Sequence, residues 1–233
     1  VYVFDGPPPR FKRLTIEERA TVRTKARELW AEALVEGDLK KARKYAQSAL
    51  TLDNEIIRNS KRLLGYMGIP CVSAPSEGEA QAAAMAMRGD VWAASSQDFD
   101  SLLFGCPRLV RNLTITGRRK LPNKDVYVEI SPEVIELEEM LTSLGIDRSQ
   151  RVIIGLLVGT DYNQGGILGI GPKKALKKVR EKKTLEAVME TVSWDFDVDF
   201  REIYRFFLDP PSTDEYDLTF RPPNESAIKS MLC

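Results

Sequence analysis

The chain has 233 residues, enough to bury a sizeable core as one large α/β domain or as one domain with an appended helical module. Its 34 Lys and Arg residues balance its 34 Asp and Glu residues, so any affinity for nucleic acid depends on where the basic residues lie. The absence of histidine excludes Ser-His-Asp and Cys-His nucleophiles, HExxH zinc sites and a histidine general base, and it leaves carboxylate and metal chemistry.

Cysteine usage and apolar runs predict a soluble cytoplasmic protein. Cys71, Cys106 and Cys233 form no CxxC pair, which argues against a zinc site or a disulfide framework. No apolar run approaches the length of a membrane span, and no signal peptide opens the chain, so we expect no membrane partner. Because Val1 starts directly in a strand-like run, we expect the parent protein to be longer.

The first fifty residues predict one strand and two helices. The apolar run from Val1 to Phe4 is typical of a buried parallel strand and places Asp5 at its carboxyl end. Thr15 and Glu18 have the spacing of a capping box, which predicts a helix that begins at Thr15 and ends near residue 34. A second helix is predicted over 38–50, and the few apolar positions favour a solvated, projecting hairpin.

Helices and strands then alternate. We predict helices over 53–67 and 79–88, and strands over 71–74 and 91–95. This alternation predicts a parallel sheet, whose ligands bind outside the carboxyl ends of the strands.

Two further strands are predicted at LVRNLTI (109–115) and VYVEI (126–130), as a candidate antiparallel edge pair joined by the basic segment GRRKLPNK. Beyond Ser131 the pattern predicts helices only.

Six carboxylates follow these predicted elements: Asp5, Glu77, Glu79, Asp98, Asp100 and Asp161. Clustered carboxylates resist burial unless cations compensate their charge, and ligands that are all oxygen favour hard metals. We therefore predict a site for two Mg²⁺ or Mn²⁺ ions. Taken singly, each acidic residue has the alternative interpretation of ordinary acidity at a helix N-terminus.

The string GILGIGPKKAL (166–176) predicts a glycine hairpin with Pro172 at the first position of a helix. Backbone N–H groups at such a turn bind phosphate without regard to base sequence. Lysines beside and beyond Pro172 extend a basic surface, which favours DNA over a free nucleotide. The alternative is an ordinary connection between helices with a solvated lysine face.

Lys12 and Arg19 lie seven residues apart around the first predicted helix start, so both side chains could face the carboxylates. There they would stabilise charge on a phosphate. The alternative is that both are ordinary surface side chains.

In this order along the chain, VFDG, PSEGEAQAA, SQDFDSLLFG, RLVRNLTITG, LVGTDYN and GIGPKKAL resemble the motifs of flap endonucleases, the structure-specific 5′-nuclease family, and most closely the archaeal members. The resemblance covers nearly the whole chain. It implies a PIN-like α/β nuclease core with a mostly parallel twisted sheet flanked by helices, a helical arch and a helix-hairpin-helix DNA-binding module. We expect the nuclease core over 1–145, with the arch over 12–50, and the helical region with the hairpin over 146–233.

The resemblance also implies residue roles. The six carboxylates match the family's metal ligands for two Mg²⁺ ions, with Mn²⁺ as a substitute. Lys12 and Arg19 match basic residues that act on the scissile phosphate, beside Asp5 and Glu77 as catalytic carboxylates. The implied DNA contacts of the hairpin, with a K⁺ ion, are Gly169, Ile170, Gly171, Lys173, Lys174 and Lys177.

Two features of the family are missing: an N-terminal strand with another metal-site Asp, and a C-terminal tail that binds the sliding clamp (PCNA). We expect the parent to bind the clamp through that tail. The function we predict is two-metal hydrolysis at the junction of a 5′ flap with duplex DNA, in replication and repair. The alternatives are an incomplete fragment that only binds DNA junctions, and a related RNase.

Overall fold

A computed structural model of the chain describes residues 1–51, 53–114, 117–120 and 126–233. The helices, in chain order, are α1 (Arg13–Val35), α2 (Leu39–Ala49), α3 (Asn54–Tyr66), α4 (Gly78–Arg88), α5 (Asp100–Leu103), α6 (Leu137–Leu144), α7 (Arg148–Val158), α8 (Pro172–Lys182), α9 (Leu185–Met189), α10 (Phe200–Leu208) and α11 (Glu225–Leu232). The strands are β1 (Tyr2–Phe4), β2 (Cys71–Ser73), β3 (Ala94–Ser95), β4 (Arg108–Arg111), β5 (Gly117–Lys120), β6 (Tyr127–Ile130) and β7 (Glu133–Glu136). No helix in these ranges is long and apolar enough to span a membrane.

The chain divides into two compact units. The first contains residues 1–2, 9–72 and 217–233, and the second contains residues 3–8 and 73–216. The functional division that we predict between residues 145 and 146 remains a prediction.

The first unit is helical and is dominated by the hairpin of α1 and α2. Alanines seven residues apart are buried on both helices, Ala26 and Ala33 on α1 and Ala42 and Ala49 on α2. Small side chains at this spacing let two helices approach closely along one face. The Asp38 carboxylate caps α2 by accepting a hydrogen bond from the Lys41 N–H at 3.0 Å. The two predicted helices are therefore present as a hairpin.

The second unit has helices packed against short strands. β3 and β4 are parallel, and β7 pairs antiparallel with β4. The strands β1 and β2 also pair, and within this unit Ala74 N–H donates to the Phe4 carbonyl while Gly6 N–H donates to the Ser76 carbonyl. These bonds advance in the same direction along both strands, which is the parallel arrangement. The predicted α/β class is confirmed, with parallel pairing at β1–β2 and β3–β4 and antiparallel pairing at β4–β7 and β5–β6 within the described residues.

Apolar side chains from four elements form the core of this unit. Met85 of α4, Leu102 of α5, Leu109 of β4 and Leu156 of α7 are all buried. An aromatic group lies beside them, in which Phe104 and Tyr162 both pack on Phe207, with ring centroids 4.9 and 5.3 Å apart. This packing fixes α5 and α7, whose ends carry site carboxylates.

Three predictions about local structure are wrong. Residues 133–136 form β7 instead of helix, because β4 supplies a partner strand. Among the residues that the structure describes, LVRNLTI and VYVEI do not pair with each other: β4 lies between β3 and β7, and β6 pairs with β5, which was predicted as a connection. The first helix begins at Arg13, two residues before the predicted cap at Thr15, and its start has no side-chain cap.

Candidate active site

The six predicted carboxylates all lie in the second unit, at ends of strands and helices. Asp5 follows β1, Glu77 is the N-cap of α4, and Glu79 lies in the first turn of α4. Asp98 follows β3 and Asp100 is the first residue of α5, while Asp161 follows α7. Five of these side chains therefore lie where a strand ends or a helix begins, and Asp161 lies after the end of a helix.

Asp5 is held at the start of α4. Its Oδ1 accepts a hydrogen bond from the Gly78 N–H at 2.6 Å, across 73 residues of sequence. The first N–H groups of a helix have no partner within the helix, and they carry partial positive charge that favours a carboxylate. A Cβ on Gly78 would lie 2.8 Å from that Asp5 oxygen, so a larger residue there would force the Asp5 carboxylate to shift.

Glu79 is a partly desolvated carboxylate of the group. Its pKa is raised to about 7, first by burial and then by the negative charges of Asp100, Asp98 and Asp5, against a hydrogen bond from Ser96 that lowers it. Ser96 Oγ donates to Glu79 Oε1 and accepts from the Asp98 N–H. One hydroxyl thus connects the start of α4 to the segment that carries Asp98.

Tyr162 is buried within electrostatic range of further carboxylates of this group. Burial raises the pKa of the Tyr162 phenol, and the nearby charges of Glu77, Asp100 and Asp161 raise it further. Glu79 also raises the pKa of Tyr162, so the electrostatic interactions of Glu79 and Tyr162 together involve all six carboxylates. We name these six side chains the acidic site.

The glycine hairpin lies in the same unit, between α7 and α8. Gly166 has φ +59°, and a Cβ there would lie 2.3 Å from the Val158 backbone carbon at the end of α7. Gly169 has φ +78° and lies at an open turn beside Leu168, whose side chain is fully exposed. The hairpin therefore needs glycine at Gly166 for close approach and at Gly169 for the left-handed backbone.

The hairpin leads into α8 as predicted. Gly171 is the N-cap and Pro172 occupies the first turn. The Lys174 ammonium donates to the Gly169 carbonyl at 2.8 Å, and Lys177 lies 3.8 Å from Glu181 in an exposed pair. A cavity of about 770 Å³ is lined by the hairpin and the first residues of α8. The first-turn N–H groups and the lysines of α8 give this surface positive potential.

Comparison with known proteins places the chain in a family. Residues 68–161 match the XPG I-region. Over 233 residues the chain is 58% identical to flap endonuclease 1 of Korarchaeum cryptofilum. That alignment covers 100% of this chain and 68% of the relative. The solved structure of flap endonuclease-1 from Methanococcus jannaschii aligns with a TM-score of 0.70 at 41% identity, covering 100% of this chain and 68% of that one. The chain belongs to the flap endonuclease family.

A more distant protein has a similar fold. The catalytic core of Rad2 in complex with a DNA substrate has a TM-score of 0.68 at 22% identity, with 99% of this chain and 72% of that chain covered. The likeness at this identity concerns the fold, which is shared over nearly the full length of the flap endonuclease chain.

The donor chemistry of the acidic site fits hard metal ions. Every donor is a carboxylate oxygen, the ligand type that Mg²⁺ and Mn²⁺ prefer. Burial and the charges of Asp100, Asp98 and Asp5 both oppose ionisation of Glu79, and a bound cation would favour its charged form. Within the described ranges, no three Asp, Glu or Cys side chains already stand in an arrangement that could hold an ion. A bound ion would therefore have to draw the carboxylates together.

Two side chains of the flap endonuclease were missed by the sequence analysis. Ser96 is the first residue of the motif SQDFDSLLFG, so its closeness to Asp98 could be read from the sequence. Its hydrogen bond to Glu79 could not, because Glu79 lies 17 residues away. Arg151 lies on α7, where no motif marked it. Burial lowers the pKa of Arg151 and the charge of Asp100 opposes that shift, which makes Arg151 a cation near the acidic site.

Lys12 and Arg19 belong to the first unit. Lys12 ends a 3₁₀ turn over Arg10–Lys12 that leads into α1, and Arg19 lies in the second turn of α1. Their roles in the flap endonuclease stay predictions.

Proposed function

We propose that this chain hydrolyses a phosphodiester bond near the junction of a 5′ single-stranded flap with duplex DNA, as a structure-specific endonuclease with 5′–3′ exonuclease activity. Replication and repair are the processes that produce such flaps. The observation that carries the proposal is the 58% identity to a flap endonuclease over the whole chain, supported by the hydrogen bonds that join Asp5 to the start of α4 and Glu79 through Ser96 to the Asp98 segment.

We propose that the acidic site holds two Mg²⁺ ions and accepts Mn²⁺. Its ligands would be Asp5, Glu77, Glu79, Asp98, Asp100 and Asp161. When bound, such ions activate water and stabilise the leaving oxygen of a phosphodiester. The chain itself orients the ligands: the α4 N-terminus holds Asp5, and Ser96 connects Glu79 to the Asp98 segment.

Lys12 and Arg19 are proposed to bind the scissile phosphate, since both are cations at the start of the α1–α2 hairpin. The hairpin over 12–50 is proposed as the arch through which the 5′ flap passes. Asp5 and Glu77 complete the catalytic set.

The glycine hairpin is proposed to grip duplex DNA through Gly169, Ile170, Gly171, Lys173, Lys174 and Lys177. Turn N–H groups and ammonium groups contact phosphates without reading bases, which suits a nuclease that recognises structure. A K⁺ ion at this hairpin, cytoplasmic localisation with chromosomal DNA in an archaeal cell, and binding to a sliding clamp (PCNA) by the parent protein are part of the same proposal.

The test is cleavage of end-labelled 5′-flap DNA by this chain in Mg²⁺ and in EDTA, resolved on a denaturing gel. We expect cuts near the junction in Mg²⁺ and none in EDTA. If the chain binds the flap DNA in both conditions but cuts it in neither, the proposed hydrolysis is contradicted. That result would support the alternative, a chain that only binds DNA junctions. Cleavage of an RNA flap in preference to the DNA flap would indicate the RNase alternative.

A further inference from the structure

Arg111, the last residue of β4, contacts the segment that carries Asp98 and directly precedes Asp100, two carboxylates of the acidic site. Its guanidinium carbon lies 4.3 Å from the centroid of the Phe99 ring. Its Nε donates to the Gln97 carbonyl at 3.3 Å, and its Nη1 lies 3.5 Å from Glu133 Oε2. One side chain therefore connects the backbone and the ring of this segment to β7.

The segment in question, residues 96–99, lies between β3 and α5 and has no regular secondary structure. Phe99 stands between Asp98 and Asp100, and its side chain is 47% exposed. The Ser96 N–H donates to the Val110 carbonyl of β4 at 3.2 Å, and beyond that bond the position of the segment depends on side-chain contacts such as those of Arg111. A planar guanidinium suits this task, because it stacks on an aromatic face and donates in fixed directions.

Arg108 makes the same set of contacts elsewhere. It lies on the same strand, its Nε is 3.1 Å from Glu136 Oε1, its Nη1 donates to the Trp92 carbonyl at 3.2 Å, and its guanidinium lies 5.4 Å from the Trp92 ring. In the β4–β7 register Arg108 is opposite Glu136 and Arg111 is opposite Glu133. The segment that Arg108 holds contains no carboxylate of the acidic site.

We propose that Arg111 is a positioning residue for the acidic site, which anchors the Gln97–Phe99 backbone to β7 and thereby orients Asp98 and Asp100 for metal ions. The inference rests on the proposed function, because it concerns the ligands of the proposed metals. Residues that orient metal ligands from outside the coordination sphere typically change metal affinity by about 10- to 100-fold when they are replaced. Arg108, with equal contacts and no ligand to orient, provides the matched comparison.

The experiment measures Mn²⁺ binding to this chain by electron paramagnetic resonance and by calorimetry, without DNA, for wild type, R111Q, R111K, E133Q and R108Q. Circular dichroism and thermal melting establish that each variant is folded. We expect R111Q to weaken Mn²⁺ binding by about 10-fold. R111K, which keeps the charge and loses the planar fork, should recover only part of that loss, and R108Q should bind as wild type does.

Equal Mn²⁺ binding by R111Q and R108Q would overturn the inference while the proposed metal site stands. A wild-type chain that binds no Mn²⁺ would overturn the metal site and the inference together. If R111Q does not fold, the Mn²⁺ affinities of E133Q and R111K are compared with that of R108Q. Weaker Mn²⁺ binding by E133Q and R111K supports the inference, and binding equal to that of R108Q overturns it. A flap-cleavage titration supplies a second readout, since a positioning defect raises the Mn²⁺ concentration needed for half-maximal rate and is relieved at high Mn²⁺.

Discussion

The Asp5 carboxylate and the Gly78 N–H are joined by a hydrogen bond of 2.6 Å, although 73 residues separate them in sequence. This bond attaches the end of β1 to the start of α4. It also links the first carboxylate of the acidic site to the helix that carries Glu79. The absence of a side chain at Gly78 is what allows the contact.

Gly78→Ala is expected to displace Asp5, because the new Cβ would lie 2.8 Å from Asp5 Oδ1. We expect a loss of about 1–3 kcal/mol in the free energy of unfolding, the usual cost of overpacking, together with weaker Mn²⁺ binding. Chemical denaturation and Mn²⁺ titration measure the two effects. Gly65→Ala in α3 is the control, since a Cβ there meets no atom within 4 Å. A Gly78→Ala variant as stable as Gly65→Ala would contradict the steric argument.

Asp98→Asn and Asp161→Asn should each reduce flap cleavage by at least about 100-fold, the scale on which a preorganised charged group contributes to catalysis. Flap binding should persist, because the hairpin lysines are unchanged. Single-turnover cleavage and a gel-shift assay separate the two quantities. Asp197→Asn, an exposed acidic residue outside the acidic site, should cleave as wild type does. Unchanged cleavage by either site variant would refute its metal role.

Replacing Lys173 and Lys177 of α8 by Ala should weaken binding to duplex DNA of any sequence. Each phosphate contact contributes about 0.9 to the slope of log K against log salt, so the double variant should have a slope shallower by about 2. Fluorescence anisotropy at several salt concentrations gives the slope. Lys229→Ala in α11 serves as the control for loss of a lysine. A parallel shift of the line without a change of slope would argue against direct phosphate contacts.

Gln81 binds the chain segment that follows α10. Its side chain is buried and forms two hydrogen bonds with the Thr213 backbone, at 2.9 and 2.8 Å. Gln81→Leu would leave the Thr213 N–H unpaired, so we expect a loss of about 1–3 kcal/mol in the free energy of unfolding. Urea denaturation of Gln81→Leu beside Gln47→Leu, an exposed glutamine of α2, measures the difference. Equal stability of the two variants would show that the buried amide contributes nothing.

Asp90 predicts a pH effect away from the acidic site. Hydrogen bonds from Tyr216 and Arg88 lower the pKa of Asp90 below its ordinary value of 3.8. A carboxylate with a lowered pKa stabilises the fold above the unfolded pKa, and that contribution is lost as the pH falls through the folded value. We therefore expect Asp90→Asn to be less stable than wild type at pH 6, and the difference to shrink at pH 3. Chemical denaturation of both proteins at pH 6 and pH 3 measures this difference in the free energy of unfolding. A difference that is larger at pH 3 than at pH 6 would contradict the lowered pKa of Asp90.

Much of the acidic site could be predicted from local patterns. Apolar runs predicted strands before Asp5 and Asp98, and these carboxylates do follow β1 and β3. Pro172 after two glycines predicted the start of α8, which begins at that residue. Such signals are local because the backbone geometry of a strand end or a helix start depends on a few neighbouring residues.

Strand partners could not be predicted in the same way. Glu133–Glu136 became a strand because β4 lay beside it, and no short pattern in those four residues encodes that partner. The contacts that organise the site are likewise distant in sequence: Ser96 with Glu79, Arg111 with Glu133, and Asp5 with Gly78. The amino-acid order alone determined the family motifs, the candidate site residues and several of the strands and helices that these residues adjoin. Their mutual orientation depends on packing between elements far apart in the chain, where side-chain volume and buried hydrogen bonds select one arrangement.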